Sequence, residues 1–221
     1  SGTTVNIFDH LTSTWKEVAG TLTGISGGPG NYPSGNSEYV KWAYDSINDD
    51  IAVAFGFSAI SLYYYTEATN TTVQLTPDFG GLLAGRLPAT IDSSSTGGTG
   101  VAFKSNEIPA NGGDLYLYLS PAATKINLST TPGAYGPGVS DIPNGSTAFF
   151  WNLDFSSDGH ARVAWLEYGP ATSGIEHLYV YDHATGNTVD LFTLSGSTYD
   201  RDYRGIELVS NNSGDTYVLF S

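Results

Sequence analysis

Short apolar clusters separated by polar turns run along the whole chain, and no long stretch repeats apolar residues at helical spacing. The clearest cluster is a triplet that occurs four times: Val53-Ala54-Phe55, Val101-Ala102-Phe103, Val163-Ala164-Trp165 and Val218-Leu219-Phe220. A polar turn precedes each copy: Asn48-Asp49-Asp50, Thr96-Gly97-Gly98, Ser157-Asp158-Gly159 and Ser213-Gly214-Asp215. Ahead of each turn stands another strand-like run: Trp42-Ala43-Tyr44-Asp45, Ala89-Thr90-Ile91-Asp92, Trp151-Asn152-Leu153-Asp154 and Ile206-Glu207-Leu208-Val209. Strand, tight polar turn, strand is the pattern of a β-hairpin, so four hairpins are expected.

A second unit follows each hairpin, with its first copy displaced to the N-terminus: Val5-Asn6-Ile7-Phe8, Leu62-Tyr63-Tyr64-Tyr65, Leu115-Tyr116-Leu117-Tyr118 and Leu178-Tyr179-Val180-Tyr181. From the last aromatic of each copy, ten positions lead without a gap to an apolar residue, Val18, Leu75, Leu128 or Leu191. Each repeat therefore holds four short strands in meander order, in a unit of roughly 50 to 60 residues, the size of a propeller blade. The chain begins with the last two strands of a blade and ends with the first two. The fold expected is all-β: a four-bladed β-propeller with four antiparallel strands per blade, closed by pairing the N-terminal with the C-terminal strands. Residues 1–221 are expected to form a single domain. A two-sheet β-sandwich is the alternative, but it gives no reason for four equal ten-residue registers or for a split repeat.

Composition supports strands: Thr, Ser, Tyr, Val and Gly are plentiful, and methionine is absent. The formal net charge of −14, from 22 acidic and 8 basic residues, excludes a nucleic-acid or anionic-membrane binder, both of which need clustered Lys and Arg. No cysteine is present, so disulfides and thiolate chemistry are excluded, and four histidines lack metal-ligand spacing. The acidic turn Asp45-x-x-Asn48-Asp49-Asp50 offers oxygen ligands for Ca²⁺, but its expected role is a solvated hairpin turn. Neither a metal nor another cofactor is expected. No apolar run reaches the about 18 residues of a membrane span, so membrane insertion is not expected. The opening Ser1-Gly2-Thr3-Thr4 is not a signal peptide, which suits either a processed secreted protein or a cytoplasmic one. Acceptor triplets for N-glycosylation stand at Asn70, Asn127, Asn144 and Asn211, a weak signal in a chain so rich in Ser and Thr.

The third repeat carries Asp154-Phe155-Ser156-Ser157-Asp158-Gly159-His160-Ala161-Arg162-Val163-Ala164-Trp165, then Leu178-Tyr179-Val180-Tyr181-Asp182 and Thr185-Gly186-Asn187. This run resembles blades of the TolB and prolyl-oligopeptidase propellers, a likeness of scaffold that implies no activity. The cysteine-free, Tyr/Gly/Thr-rich chain is also similar in style to fungal propeller lectins such as the fucose-binding family. That resemblance implies glycan binding on a propeller face. The chain departs from those lectins in blade number and in lacking their repeated Arg/Glu/Trp sugar constellation.

In a four-stranded blade, the loops from strand two to three and from blade to blade lie on one face, and here these are the long and varied segments. Candidate ligand-binding residues in or beside them are Tyr32, Glu38, Tyr39, Phe79, Arg86, Tyr135, Asp141, Tyr199, Asp200 and Arg201. Aromatic rings stack on the apolar faces of sugars, and carboxylates, amides and guanidinium forks bond their hydroxyls. Each such Tyr or Asp taken alone is more often a turn former or local packing; their joint placement on one face carries the reading. Trp42 and Trp151 align on the first strands of the first and third repeats. Packing between neighbouring blades is their expected role, and ligand stacking the alternative.

The function expected is a lectin-type module for glycans or glycoconjugates, with no catalytic residue assigned and a homo-oligomer left open. A glycoside hydrolase is the first alternative, with Glu38, Glu107, Glu176, Asp141, Asp202 and Glu207 as its available carboxylates. A protein-interaction propeller is the second. No nucleophile elbow, phosphate loop, zinc-protease motif or dinucleotide fingerprint occurs.

Overall fold

A computed structural model describes residues 5–9, 11–18, 39–57, 61–76, 89–105, 114–130, 151–168, 175–191, 206–211, 213 and 215–220. They form sixteen strands: β1 (Asn6–Asp9), β2 (Thr14–Glu17), β3 (Tyr39–Asp45), β4 (Asp50–Phe57), β5 (Ser61–Thr66), β6 (Thr71–Gln74), β7 (Ala89–Ser93), β8 (Thr99–Ser105), β9 (Asp114–Ser120), β10 (Thr124–Asn127), β11 (Trp151–Phe155), β12 (Ala161–Tyr168), β13 (Ile175–Asp182), β14 (Asn187–Asp190), β15 (Ile206–Ser210) and β16 (Thr216–Phe220). A short 3-10 turn, Leu128–Thr130, follows β10.

Three four-stranded antiparallel meanders, β3–β6, β7–β10 and β11–β14, are complete propeller blades, and the strands of a fourth are divided between the two-stranded sheets β1–β2 and β15–β16. The all-β, four-blade reading of the repeats therefore holds. The closing ladder expected between the terminal strands is not among the described pairings, where each half stands as its own sheet. The chain falls into two compact units, Ser1–Tyr44 with Asp49–Leu87, and Asp45–Asn48 with Pro88–Ser221.

The register repeats as the sequence does. Val53 faces Tyr65, Val101 faces Tyr118, and Val163 faces Tyr181. Two residues on, the last member of each triplet meets an aromatic ring across the ladder: Phe55 on Tyr63 at 5.5 Å, Phe103 on Tyr116 at 5.8 Å and Trp165 on Tyr179 at 5.3 Å between centroids. Cross-strand aromatic pairs of this kind add about 0.5–1.5 kcal/mol each beyond the area they bury.

The ten-residue spacing has an equally local cause. Ser13, Asn70, Ala123 and Gly186, each five positions after the last aromatic of its unit, all adopt left-handed backbone at φ of 54°, 51°, 52° and 70°. One turn geometry thus fixes all four hairpins of strands three and four. Val18, Leu75 and Leu128 follow their fourth strands and are buried. Leu62 and Leu115 each donate a backbone N–H to the hydroxyl that follows those anchors, Thr76 Oγ1 at 2.8 Å and Ser129 Oγ at 3.2 Å.

The triplets of β4, β8 and β12 show no apolar–polar alternation because both faces of their strands are covered, whereas on β16 Leu219 faces outward and is exposed. On β12, Val163 and Trp165 enter a core with Ala102, Leu117, Leu128, Trp151 and Leu153, whereas Ala164 and Leu166 enter another with Leu178, Ile206 and Leu208. Sheet β11–β14 is thus packed between β7–β10 and β15–β16. In the other unit, Val5 and Val18 pack with Val53, Phe55, Tyr63 and Tyr65.

Candidate functional site

Of the twelve candidate residues, Tyr32, Glu38, Phe79, Arg86, Tyr135, Asp141, Tyr199, Asp200 and Arg201 lie outside the described residues, as does the position of the Tyr39 side chain. Tyr39 itself opens β3. Trp42 and Trp151 are described in full, and they differ.

Trp151 is 8% exposed, packs in the core of its unit, and donates its indole N–H to Ala102 O at 3.1 Å. Its expected packing role holds. Trp42 is 68% exposed. The equivalence read from the sequence therefore needs correcting: β11 buries Trp151 and Leu153, whereas β3 buries Ala43 and Asp45 and exposes Val40, Trp42 and Tyr44. A shift of one residue sends every side chain of a strand to its opposite face, so Trp42 falls on the phase that Asn152 occupies in β11.

The exposed face of β3 is an aromatic and aliphatic stripe at two-residue spacing, Val40, Trp42 and Tyr44. Its lower end is anchored, because Tyr44 donates its hydroxyl to Asp49 Oδ1 at 2.7 Å. Asp45 behind it accepts from Ile47 N at 3.0 Å, Asn48 N at 3.2 Å, Asn48 Nδ2 at 2.8 Å and Gly98 N at 2.5 Å. Burial works against the charge of Asp45, but these donors outweigh it and hold its carboxyl below the usual range. The carboxylates of this turn look to different partners, with Asp50 accepting from Ala68 N at 2.8 Å, so the turn works as the hairpin corner expected.

Among the described residues, chemistry outside β3 is sparse. Glu207 accepts from Asn152 Nδ2 at 3.0 Å. Of the other hydrolase carboxylates, Glu38, Glu107, Asp141 and Asp202 lie outside the described residues, as does the side chain of Glu176. His177 Nδ1 meets Asp190 Oδ2 at 2.7 Å and stacks on Tyr179 at 5.4 Å, a pairing across β13 and β14 that sequence spacing did not show. His160 and His183 lie edge to face at 6.0 Å, and burial followed by the charge of His160 pushes His183 down. Among the described residues no group of three side chains could hold a metal ion, and no helix is long and apolar enough to cross a membrane.

Among the described residues, the carboxyl of Asp92 on β7 is pushed up to about 6 by burial and by the charge of Asp154 on β11. The sequence placed these two at the same position of successive repeats. The nearness of their charges depends on the packing of one sheet against the next.

No protein-family model and no curated protein matches the chain. Among solved structures, the chain is similar to the crystal structure of endo-arabinase from Bacteroides thetaiotaomicron VPI-5482, with 12% identity over 98% of this chain and 87% of that one, at a TM-score of 0.43. A likeness of that degree carries no weight for activity.

Proposed function

We propose that the protein binds carbohydrate, and that the exposed face of β3 is part of its binding surface. One observation carries the reading: on β3 an indole stands open to solvent between two other apolar side chains at two-residue spacing, Val40 and Tyr44, whereas Trp151 on β11 is buried and the other open indole, Trp15 on β2, lies against the ring of Phe8. Leaving a large ring in water forgoes about 1.5–3 kcal/mol of burial, a cost that a binding surface recovers when ligand covers it. A sugar suits this surface because its axial C–H groups form an apolar face that fits a flat ring, while its hydroxyls remain free for polar neighbours. Candidates for those polar contacts are Glu38, Tyr39, Arg86, Asp141, Asp200 and Arg201, with Tyr32, Phe79, Tyr135 and Tyr199 as further rings.

The glycoside-hydrolase alternative needs two carboxyl groups about 5–10 Å apart around an open site. Most of its candidate carboxylates, Glu38, Glu107, Asp141 and Asp202, lie outside the described residues, as does the side chain of Glu176, and Glu207 is engaged by Asn152 Nδ2 at 3.0 Å.

The test is a glycan array on the purified protein, followed by titration of indole fluorescence with any sugar that binds. Binding that Trp42→Ala abolishes, at unchanged melting temperature, supports the proposal. An array without signal, or a Trp42→Ala variant that binds as the parent does, overturns it. Turnover of a chromogenic glycoside would replace it with the hydrolase.

A further inference from the structure

Two hairpin turns of sheet β11–β14 carry a histidine each. His160 ends the turn between β11 and β12, and His183 opens the turn between β13 and β14. They are 23 positions apart in the sequence, and their rings stand edge to face with centroids 6.0 Å apart. Both residues are half-buried. Among the described residues no hydrogen bond engages a nitrogen of either ring, whereas the ring of His177 is committed to Asp190 Oδ2 at 2.7 Å.

Both backbones are pinned. Ser156 N and Ser156 Oγ donate to His160 O at 3.1 and 3.0 Å, and His160 N donates to Asp158 Oδ1 at 3.2 Å. His183 N donates to Ala161 O at 3.0 Å, and Asp182 closes the turn beyond it, accepting from Gly186 N at its carbonyl, 2.9 Å, and from Ala184 N at its carboxylate, 2.8 Å. The scaffold does not call for imidazole at either position. Sheet β3–β6 makes the same contact between its turns, Glu67 N to Ile51 O at 3.0 Å, with Asp50 and Glu67 in the places of His160 and His183. Sheet β7–β10 has Gly98 and Ser120 there. A corner of this kind forms with acidic or small residues, so the fold alone gives no reason for paired rings.

Two imidazoles this close repel one another once both are protonated, and a cation that takes their lone pairs removes the repulsion. Burial first, and then the charge of His160, push His183 below its ordinary range, which keeps its lone pair available at neutral pH. Carboxylates add attraction: Asp182 acts on His183, and Asp158, held low by Ser156 Oγ and His160 N, acts on His160. Arg162, the cation of β12, has its guanidinium 3.7 Å from Asp182 and is paired with it.

We propose that His160 and His183 form a binding site for a divalent transition-metal ion, Zn²⁺ in the first place, which bridges the two turns with water completing its coordination. Imidazole is a common protein ligand for such ions, and with Zn–N bonds of about 2.0–2.1 Å two rings on one tetrahedral ion have centroids about 5 Å apart. Rotation of either side chain closes the remaining distance. Among the described residues no third His, Asp or Glu completes the set, so the site is a two-ligand chelate that ties turn to turn and not a closed structural zinc centre. Sequence spacing did not show it, because the two histidines meet only through the meander.

The experiment is a calorimetric titration of the whole protein with Zn²⁺, read beside long-range 1H–15N spectra of its imidazoles. One ion per chain is expected, with the ring nitrogens of His160 and His183 shifting together. His160→Ala and His183→Ala should each weaken binding by about tenfold or more, since the remaining ring loses a partner already held in place, and His177→Ala should leave it within about twofold. Binding needs neutral imidazole, so affinity should fall as the pH drops through about 6.5. Absence of both heat and imidazole shifts at millimolar Zn²⁺ overturns the proposal, as does binding that either His160→Ala or His183→Ala keeps at the strength of the parent. The spectra of the parent decide even if a variant fails to fold.

Discussion

Strands β3 and β11 have the same sequence character and opposite surroundings. Each carries a tryptophan, each leads into a polar hairpin turn, and each has an aspartate near its end that accepts a backbone N–H from another sheet, Asp45 from Gly98 and Asp154 from Ser210. On β11 the tryptophan fills the core and bonds to Ala102 O. On β3 the tryptophan faces water, and the small residue Ala43 points inward instead. The carboxyls differ in the same manner: Asp45 is surrounded by N–H donors and held low, whereas burial, with the charge of Asp154 added to it, pushes Asp92 up. What a repeated position does therefore depends on which face its strand turns inward and on what the next sheet brings to it.

The sharpest way to break this comparison is to remove the two rings. Trp151→Ala should cost about 3–5 kcal/mol in urea unfolding, because it leaves a cavity and an orphaned carbonyl at Ala102. Trp42→Ala should stay within about 0.5 kcal/mol of the parent in the same assay and lose sugar binding instead. Equal losses of stability from both would show that β3 also buries its tryptophan.

The turn after β11 comes next in size. Gly159 has φ of +82° and lies against Thr96, so Gly159→Ala should cost about 1–3 kcal/mol in thermal unfolding. Gly186→Ala, with φ of +70° and nothing within 4 Å of the added methyl, should cost only the backbone penalty of about 1 kcal/mol. The gap between them measures how tightly the turns of neighbouring sheets meet.

The smallest effect is the one with a sign. The lowered carboxyl of Asp45 supports folding above its unfolded value of 3.8, and this support is lost as the pH falls through its folded value. Asp45→Asn should flatten the acid limb of the stability profile below pH 4. The carboxyl of Asp92 sits above its unfolded value of 3.8, so its contribution to folding is complete below about pH 3.8 and is lost as the pH rises through about 6, and Asp92→Asn should flatten the limb between pH 4 and 7.5. Profiles that change in the same window for both variants would remove the distinction between the two carboxyls.

Much of the architecture was legible along the chain. The Val-led triplets, the aromatic units and the constant ten-residue spacing mark strands β4, β8, β12 and β16, strands β1, β5, β9 and β13, and the buried anchors after their hairpins. Those features are local: a left-handed residue five positions after an aromatic forms the same turn wherever it occurs. The phase of β3 was harder to read, because Val40, Trp42 and Tyr44 make one apolar face while Ala43 sits on the other, and size alone favours burying the larger set. The candidate site was less legible still, since most of its residues belong to loops, where no periodicity ties a side chain to a direction.

By itself, the sequence determined the strands, their order and the hairpin registers, since each follows from spacing between near neighbours. Only the tertiary structure decided that Trp151 is enclosed while Trp42 is open, and that Asp92 is partly buried beside the charge of Asp154, 62 positions away in the sequence. Burial and charge coupling arise from the packing of one sheet on another, and packing partners are set by the whole chain and not by any single segment of it.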